Sequence, residues 1–374
     1  MQPGKLIQNH DGGITCHIGH VPPHIDEILV QTYASLHSSL AFFRVFRSIG
    51  NASCYLARRA GLVSTVLVFT CHGRRLEVIN EMLELEQAEL LRFVQFIFAH
   101  LPHIDVISFR ALNTTTDQLG LPLQQYRAKG TYVITLPDTP EAYIAGIGKS
   151  TRASIRQGLN GIQRQFPSFQ SLFFDSSDID DTTLRAIIAL SERRIAAGGA
   201  AFTHDVERII ELSRQCGFMS VILIDGRLCA GSVNYRVGTS YFGDVMGFDP
   251  QYEKYGLGKL CVYLTVCESI RRGGTAFYLG GGVFAFKERL LGVPLDMDAL
   301  HVYRSPLALL RNIDHAAVTA FGAGAVHVKN LLHRHKHTGW GRFVFRSFYV
   351  VQNLLSTFRR GRRSPAGTPV QREK

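Results

Sequence analysis

Three groups of residues between positions 240 and 290 have the types and spacing to do chemistry together. The first is Tyr255-Gly256-Leu257-Gly258-Lys259. Its glycines let the backbone turn tightly, so that amide N–H groups face outward at the start of a following helix and suit an anion. A phosphate there gains about 0.3–1 kcal/mol from the helix dipole and roughly 1.5–3 kcal/mol from a charge-assisted bond to Lys259. The second is Asp244. Strict alternation along 241–248 puts Phe242, Asp244, Met246 and Phe248 on one strand face, where desolvation by apolar neighbours raises a carboxyl pKa towards that of a useful base. The third is Lys287, which follows Leu279-Gly280-Gly281-Gly282 and Phe286 and could orient a phosphate or stabilise an oxyanion. An anion cradle, a base and an oxyanion partner are what acyl transfer to an amine needs. The plainer readings are a common tight turn, a salt-bridged carboxylate and a surface lysine.

The elements around these residues have a readable order. Apolar runs at 221–224, 229–237 and 241–248 are separated by the turns Asp225-Gly226 and Gly238-Thr239, which predicts a hairpin and a third antiparallel strand. Leu260, Leu264 and Cys267 fall on one helical face and Gly273-Gly274 supplies a stop, so a helix is expected from about 258 to 272. A final strand precedes the triple glycine. The P-loop pattern and the dinucleotide fingerprint both need glycine spacings that the chain lacks.

With these residues in view, roughly 130–300 resembles the GNAT-superfamily branch that holds CelD-like acetyltransferases and Fem-type (FemAB-like) aminoacyltransferases. The matching features are a basic helix beginning Lys149-Ser150-Thr151-Arg152, a helical insert, the Gly-x-Gly loop, and the segment from Leu279 to Lys287. The resemblance implies an α/β GNAT fold, a mixed and mostly antiparallel sheet flanked by helices, built as two GNAT-like halves. It also implies an N-acyltransferase that uses acetyl-CoA or another acyl-CoA, with Met246, Phe248, Tyr255, Gly256, Gly258 and Lys259 at the donor. Asp244 and Lys287 are the catalytic candidates, and Lys149, Arg152, Arg156 and Tyr278 line the acceptor. The expected acceptor is an amino or hydroxyl group of a sugar, a polysaccharide precursor or a related envelope metabolite. Two alternatives stay open. One is an aminoacyl-tRNA-dependent Fem-type transferase. The other is a non-catalytic binding protein, because Glu253 stands where the loop commonly carries Gln or Arg, and Tyr278 where CelD-like chains commonly carry Asp.

The 374 residues, 46% hydrophobic and 19% charged, suit about two domains of ordinary globular composition. The division read from the sequence is an α/β part over 1–130, implied by the resemblance to be a degenerate first half, an acyltransferase domain over 131–310, and a tail over 311–374. In the first part, apolar runs at 63–69 and 104–109 bracket a helix of about 85–100. No run reaches the ~18 apolar residues of a membrane span, and the N-terminus lacks a signal-like stretch, so a cytoplasmic location is expected. Seven cysteines without a C-x-x-C pair read as reduced, mostly buried thiols, with Cys261 beside the glycine loop as the candidate for reactivity. No metal is expected.

Lys149, Arg152 and Arg156 stack at helical spacing, either as a solvated face or for an anionic substrate or donor. The insert from Asp180 to about Gln215 reads as two helices broken at Gly198-Gly199, with Asp180 or Asp181 capping the first and Thr203 or Asp205 the second. From Ala325 onward eleven Lys and Arg face Glu373 alone, so ten of the formal net +11 lie in the tail. Cations alternate there with Trp340, Phe343, Phe345, Phe348 and Tyr349. Such a segment adheres to anionic lipid or to RNA, and the inner membrane face is the expected partner. His333, His335 and His337 sit among cations that oppose metal binding.

Overall fold

The computed structural model describes residues 5–9, 13–47, 49–116, 119–197, 202–281 and 285–320. The first half of the chain comprises β1 (Lys5–Gln8), β2 (Ile14–Ile18), α1 (Ile25–Tyr33), α2 (Leu40–Phe46), β3 (Ser53–Arg59), β4 (Leu62–His72), β5 (Arg75–Val78), β6 (Leu83–Glu84), α3 (Gln87–His100) and β7 (Val106–Asn113). After β8 (Leu123–Thr135) come α4 (Pro140–Gly146), α5 (Lys149–Gln165), β9 (Gln170–Asp175), α6 (Asp181–Ala197), α7 (Val206–Cys216), β10 (Gly217–Ile224), β11 (Arg227–Val237) and β12 (Ser240–Phe248). A 3-10 turn, Pro250–Tyr255, leads into α8 (Leu257–Arg271), β13 (Ala276–Tyr278), α9 (Ala285–Arg289), β14 (Val293–Tyr303) and α10 (Pro306–Arg311).

One pattern occurs twice. Strands β2 to β5 form an antiparallel meander, α3 crosses over, and β7 returns parallel to β5. Likewise β9 to β12 form an antiparallel meander, α8 crosses over, and β13 returns parallel to β12. The two patterns share one sheet because β14 pairs with β7 on one side and β8 on the other, while β8 also pairs with β13. The described order is β1-β2-β3-β4-β5-β7-β14-β8-β13-β12-β11-β10-β9, with β6 beside β7. The expected fold class holds: a mixed, mostly antiparallel sheet with helices against it.

The first half lacks an equivalent of the glycine loop. Its crossover helix starts after Glu86 with Glu89 in the first turn, an acidic start that opposes an anion. Glu89 instead accepts hydrogen bonds from Ser64 and Thr65 and pairs with Arg59.

Helices cover both sides of the sheet because both sides bury apolar residues. In the second half, Ile155 and Ile162 of α5 pack with Leu257, Leu260 and Val266 of α8 against Tyr241 and Phe277. On the opposite side, Leu184 and Ile187 of α6 and Ile209 and Leu212 of α7 pack on Val233, Phe242 and Val245. Asp180 accepts from the Thr183 amide at 2.8 Å and Asp205 from the Arg208 amide at 3.5 Å, so the insert is two capped helices as expected. The break at Gly198-Gly199 lies outside the described residues.

Residues Met1–Asn312 form one compact unit, and Ile313–Lys374 a second. Residues 313–320 of the second unit are helical. The basic and aromatic tail read from the sequence, including the three alternating histidines, lies beyond the described residues. Among the described residues no helix is long and apolar enough to cross a membrane.

Candidate active site

The site begins where two parallel strands part. β12 and β13 pair only over Ser240–Phe242 and Ala276–Tyr278. Beyond Tyr278 the chain follows β8, since the Leu279 amide donates to the Tyr132 carbonyl at 2.8 Å, while β12 continues beside β11. A cavity of about 80 Å³ opens at the fork, between Gly243–Met246 and the residues Phe277 and Leu279, with Val262 and Thr265 of α8 along it.

A β-bulge at Asp244 shapes this fork. Val233 pairs with Val245 and Asn234 with Gly243, which leaves Asp244 as the extra residue, and bulges of this kind bend a strand and re-aim its side chains. The expected alternation therefore fails. Phe242 and Val245 both face α6 and α7, whereas Phe248 lies against the α8 side, so Met246 and Phe248 do not share the face of Phe242 and Asp244. Met246 borders the cavity. Phe248 does not; it packs beneath the start of α8.

Asp244 combines access with enclosure. Solvent reaches the residue, yet protein crowds the carboxyl closely enough that burial raises its pKa above the usual carboxylate range. The Tyr235 hydroxyl donates to its Oδ2 at 3.0 Å and, together with the charge of His204, opposes that rise. His204 stands at the turn into α7, its amide held by Glu192 at 2.8 Å and its ring Nε2 3.4 Å from the Ser191 hydroxyl. Burial lowers its pKa, so the imidazole favours the neutral form. Neither Tyr235 nor His204 was singled out in the sequence. The signal available for Tyr235 was its place on the strand next to that of Asp244, across a short hairpin turn.

The glycine loop caps α8 as expected, with Gly256 in the left-handed region at φ 67°, a conformation glycine adopts without strain. The first-turn amides have no partner inside the helix, and the Lys259 ammonium reaches the Ser154 hydroxyl of α5 at 2.6 Å. Gly258 also has a packing role. A Cβ on it would sit 2.7 Å from the Phe248 ring, so this glycine lets α8 lie close on β12. A side chain there disturbs the packing of α8 on β12, whatever it does to an anion at the loop. Tyr255 points the other way: its carbonyl would stand 2.3 Å from a Cβ on Gly158 of α5, and its hydroxyl donates to Gln165.

Lys287 is almost fully buried, 3% exposed. Its ammonium donates to the Gly280 and Gly281 carbonyls at 2.9 and 2.6 Å and lies 5.5 Å from the Tyr132 ring centre. Burial lowers its pKa to about 8. It thereby clips the glycine segment that follows β13; Gly282 is outside the described residues. Tyr278 stacks on Phe242, ring centres 4.5 Å apart and nearly coplanar at 8°, on the side of the sheet facing α6 and α7. Lys149 and Arg156 are exposed, and Arg152 donates to the Ala145 carbonyl at 3.3 Å, so the structure does not bring these three cations to the fork. Cys261 is fully buried with its thiol pushed up to about 11, which rules it out as a reactive thiolate at neutral pH. Among the described residues no cluster could hold a metal ion.

Residues 149–288 match the family described as an acetyltransferase (GNAT) domain, a span from the start of α5 into α9 that contains the whole fork. No curated protein matches the chain. Among solved structures, FemX is similar over 78% of this chain and 98% of its own, with 11% identity and a TM-score of 0.59. The C-terminal domain of a putative lysylphosphatidylglycerol synthetase from Agrobacterium fabrum aligns over 78% and 94%, with 15% identity and a TM-score of 0.46. The L-PGS of Bacillus licheniformis aligns over 76% and 92%, with 15% identity and a TM-score of 0.46. The FemX likeness is one of fold. The chain is an acyltransferase whose residues 149–288 are similar to the GNAT acetyltransferase domain.

Proposed function

We propose that the protein transfers an acyl group from a coenzyme A thioester to an amine. The observation that carries this reading is the fork itself: parallel strands that part beside a helix N-terminus, a small cavity between them, and a bulged carboxylate on the strand that forms one wall. The donor's diphosphate would lie on the amides of 257–259 near Lys259, and its acyl end would enter the cavity from the α8 side. The acceptor would approach from the side of α6 and α7, where Asp244 and Tyr278 stand.

Asp244 takes a proton from the acceptor ammonium, and the freed amine attacks the acyl carbon. The C–S bond breaks, and the departing thiolate takes the proton that the new amide sheds. Tyr235 keeps the Asp244 carboxylate aimed while leaving one oxygen open. An amino sugar or a related envelope precursor is the acceptor this reading favours, within the CelD-like and Fem-type branch. Free thiol released from acetyl-CoA on addition of amino-sugar or other primary-amine acceptors tests the proposal. Acceptor-dependent release supports it, and a hydrolysis rate indifferent to every amine contradicts it.

The tail supports a second part of the proposal, attachment to an anionic membrane surface, because ten units of positive charge fall after residue 324 among aromatic residues. Deleting 357–374 is expected to weaken co-sedimentation with anionic vesicles and to leave activity on soluble acceptors unchanged. Because the Debye length falls from about 8 Å at physiological salt to about 3 Å at 1 M, high salt should weaken the binding too. Vesicle binding indifferent to salt and truncation contradicts the anchor, and preferential retention on RNA favours the aminoacyl-tRNA alternative.

A further inference from the structure

The floor of the cavity is polar in a way that acetyl transfer does not require. Ser232, Asn234 and Thr265 all border it, and they belong to a network joining β10, β11 and α8. The Ser220 hydroxyl lies 2.7 Å from that of Ser232 and 2.8 Å from that of Thr265. Thr265 donates to the Cys261 carbonyl at 2.7 Å.

Asn234 is 2% exposed, and its orientation follows from its partners. Its Nδ2 donates to the carbonyls of Phe218 at 3.1 Å and Ser232 at 3.2 Å and to the Ser232 hydroxyl at 2.9 Å. Carbonyl oxygens cannot donate, so the nitrogen must face them and Oδ1 must face the other way. That direction is the fork. A Cβ placed on Gly243 would lie 3.5 Å from Asn234 Oδ1, and 3.4 Å from both the Phe277 ring and the Tyr278 carbonyl. Gly243 therefore leaves open the space in front of the oxygen, and no protein donor among the described residues fills it.

We propose that the side-chain oxygen of Asn234 reads the acyl group, selecting a short acyl chain that carries a hydroxyl or ammonium donor over a plain alkyl chain. This rests on the reading of the fork as the donor site. A buried acceptor left without a donor costs free energy, so a site of this kind discriminates against the analogue that lacks the group. The cavity of about 80 Å³ limits the chain to a few heavy atoms.

Competition binding of butyryl-CoA, 3-hydroxybutyryl-CoA, β-alanyl-CoA and free CoA to the full chain tests the proposal. The wild type is expected to bind the hydroxyacyl or the aminoacyl thioester at least tenfold more tightly than butyryl-CoA, and which of the two is favoured separates hydroxyl from ammonium recognition. Gly243→Ala, which shields Oδ1 and leaves the Asn234 network in place, should reduce the preference to within about twofold with little change for free CoA. Asn234→Leu should do the same, with thermal unfolding checking that the variant folds. Equal wild-type affinities for all three thioesters overturn the role of Asn234 while the donor site stands. Failure of every thioester and of CoA to bind overturns both.

Discussion

Asp244→Asn is expected to lower turnover by about a hundredfold or more, the usual contribution of a positioned general base, with the fold intact. The amide oxygen of Asn can still accept the Tyr235 hydrogen bond, so the bulge and its neighbours keep their geometry. Stability moves in the opposite direction from activity. The folded-state pKa of Asp244 is raised, so between the unfolded and folded values the native state binds more protons, and stability falls as pH rises through that window. Asn removes this cost and should leave the melting temperature at neutral pH unchanged or higher. In the wild type, kcat/KM should fall as acid protonates Asp244, with an inflection above the ordinary carboxylate range, and the variant should lose that inflection. Wild-type turnover in Asp244→Asn, or the same acid limb in both proteins, places the base elsewhere.

Lys287→Met should also reduce turnover by about a hundredfold, through the loss of a clip beside the cavity. Its ammonium ties two successive carbonyls at the end of β13, and each buried acceptor left unpaired costs about 1–3 kcal/mol. The sign of the pH effect follows from a lowered lysine pKa. Between about 8, where the folded ammonium deprotonates, and about 10.4, where the unfolded chain does, the unfolded state binds more protons. Stability contributed through Lys287 therefore rises with pH across that window. Denaturant titrations at pH 7.5 and 10 should show this rise in the wild type relative to Lys287→Met. A variant with wild-type turnover and the same pH dependence would make Lys287 dispensable both as clip and as catalyst.

The parts of this site that were legible in the sequence are those set by local rules. Turn residues at Asp225-Gly226 and Gly238-Thr239, the caps Asp180 and Asp205, and the apolar face of Leu260 and Cys267 act within a few residues, and the elements fall where these signals place them. Gly256 was readable for the same reason. What was not readable depends on pairing between distant strands. The bulge at Asp244 is an extra residue relative to β11, and nothing in the run from Tyr241 to Phe248 marks where the register slips. The packing role of Gly258 is set by the Phe248 ring beneath it, and the orientation of Asn234 by the carbonyls of Phe218 on β10 and Ser232 on its own strand. The joining of the two halves into one sheet rests on β14 and β8, whose partners are remote in sequence. The repeat itself survives in topology and not in residue identity, since Glu86 and Glu89 stand where the second half has its glycine loop.

Titration calorimetry with acetyl-CoA tests the central claim most directly, that the fork between β12 and β13 seats a thioester donor whose diphosphate lies at the start of α8. The account predicts saturable binding of one molecule per chain, with an affinity in the range of about 1 μM to 1 mM typical of enzyme substrates, and a loss of at least tenfold in Lys259→Glu, which reverses the charge at the diphosphate. No heat of binding at millimolar donor, or binding that Lys259→Glu leaves unchanged, would contradict it.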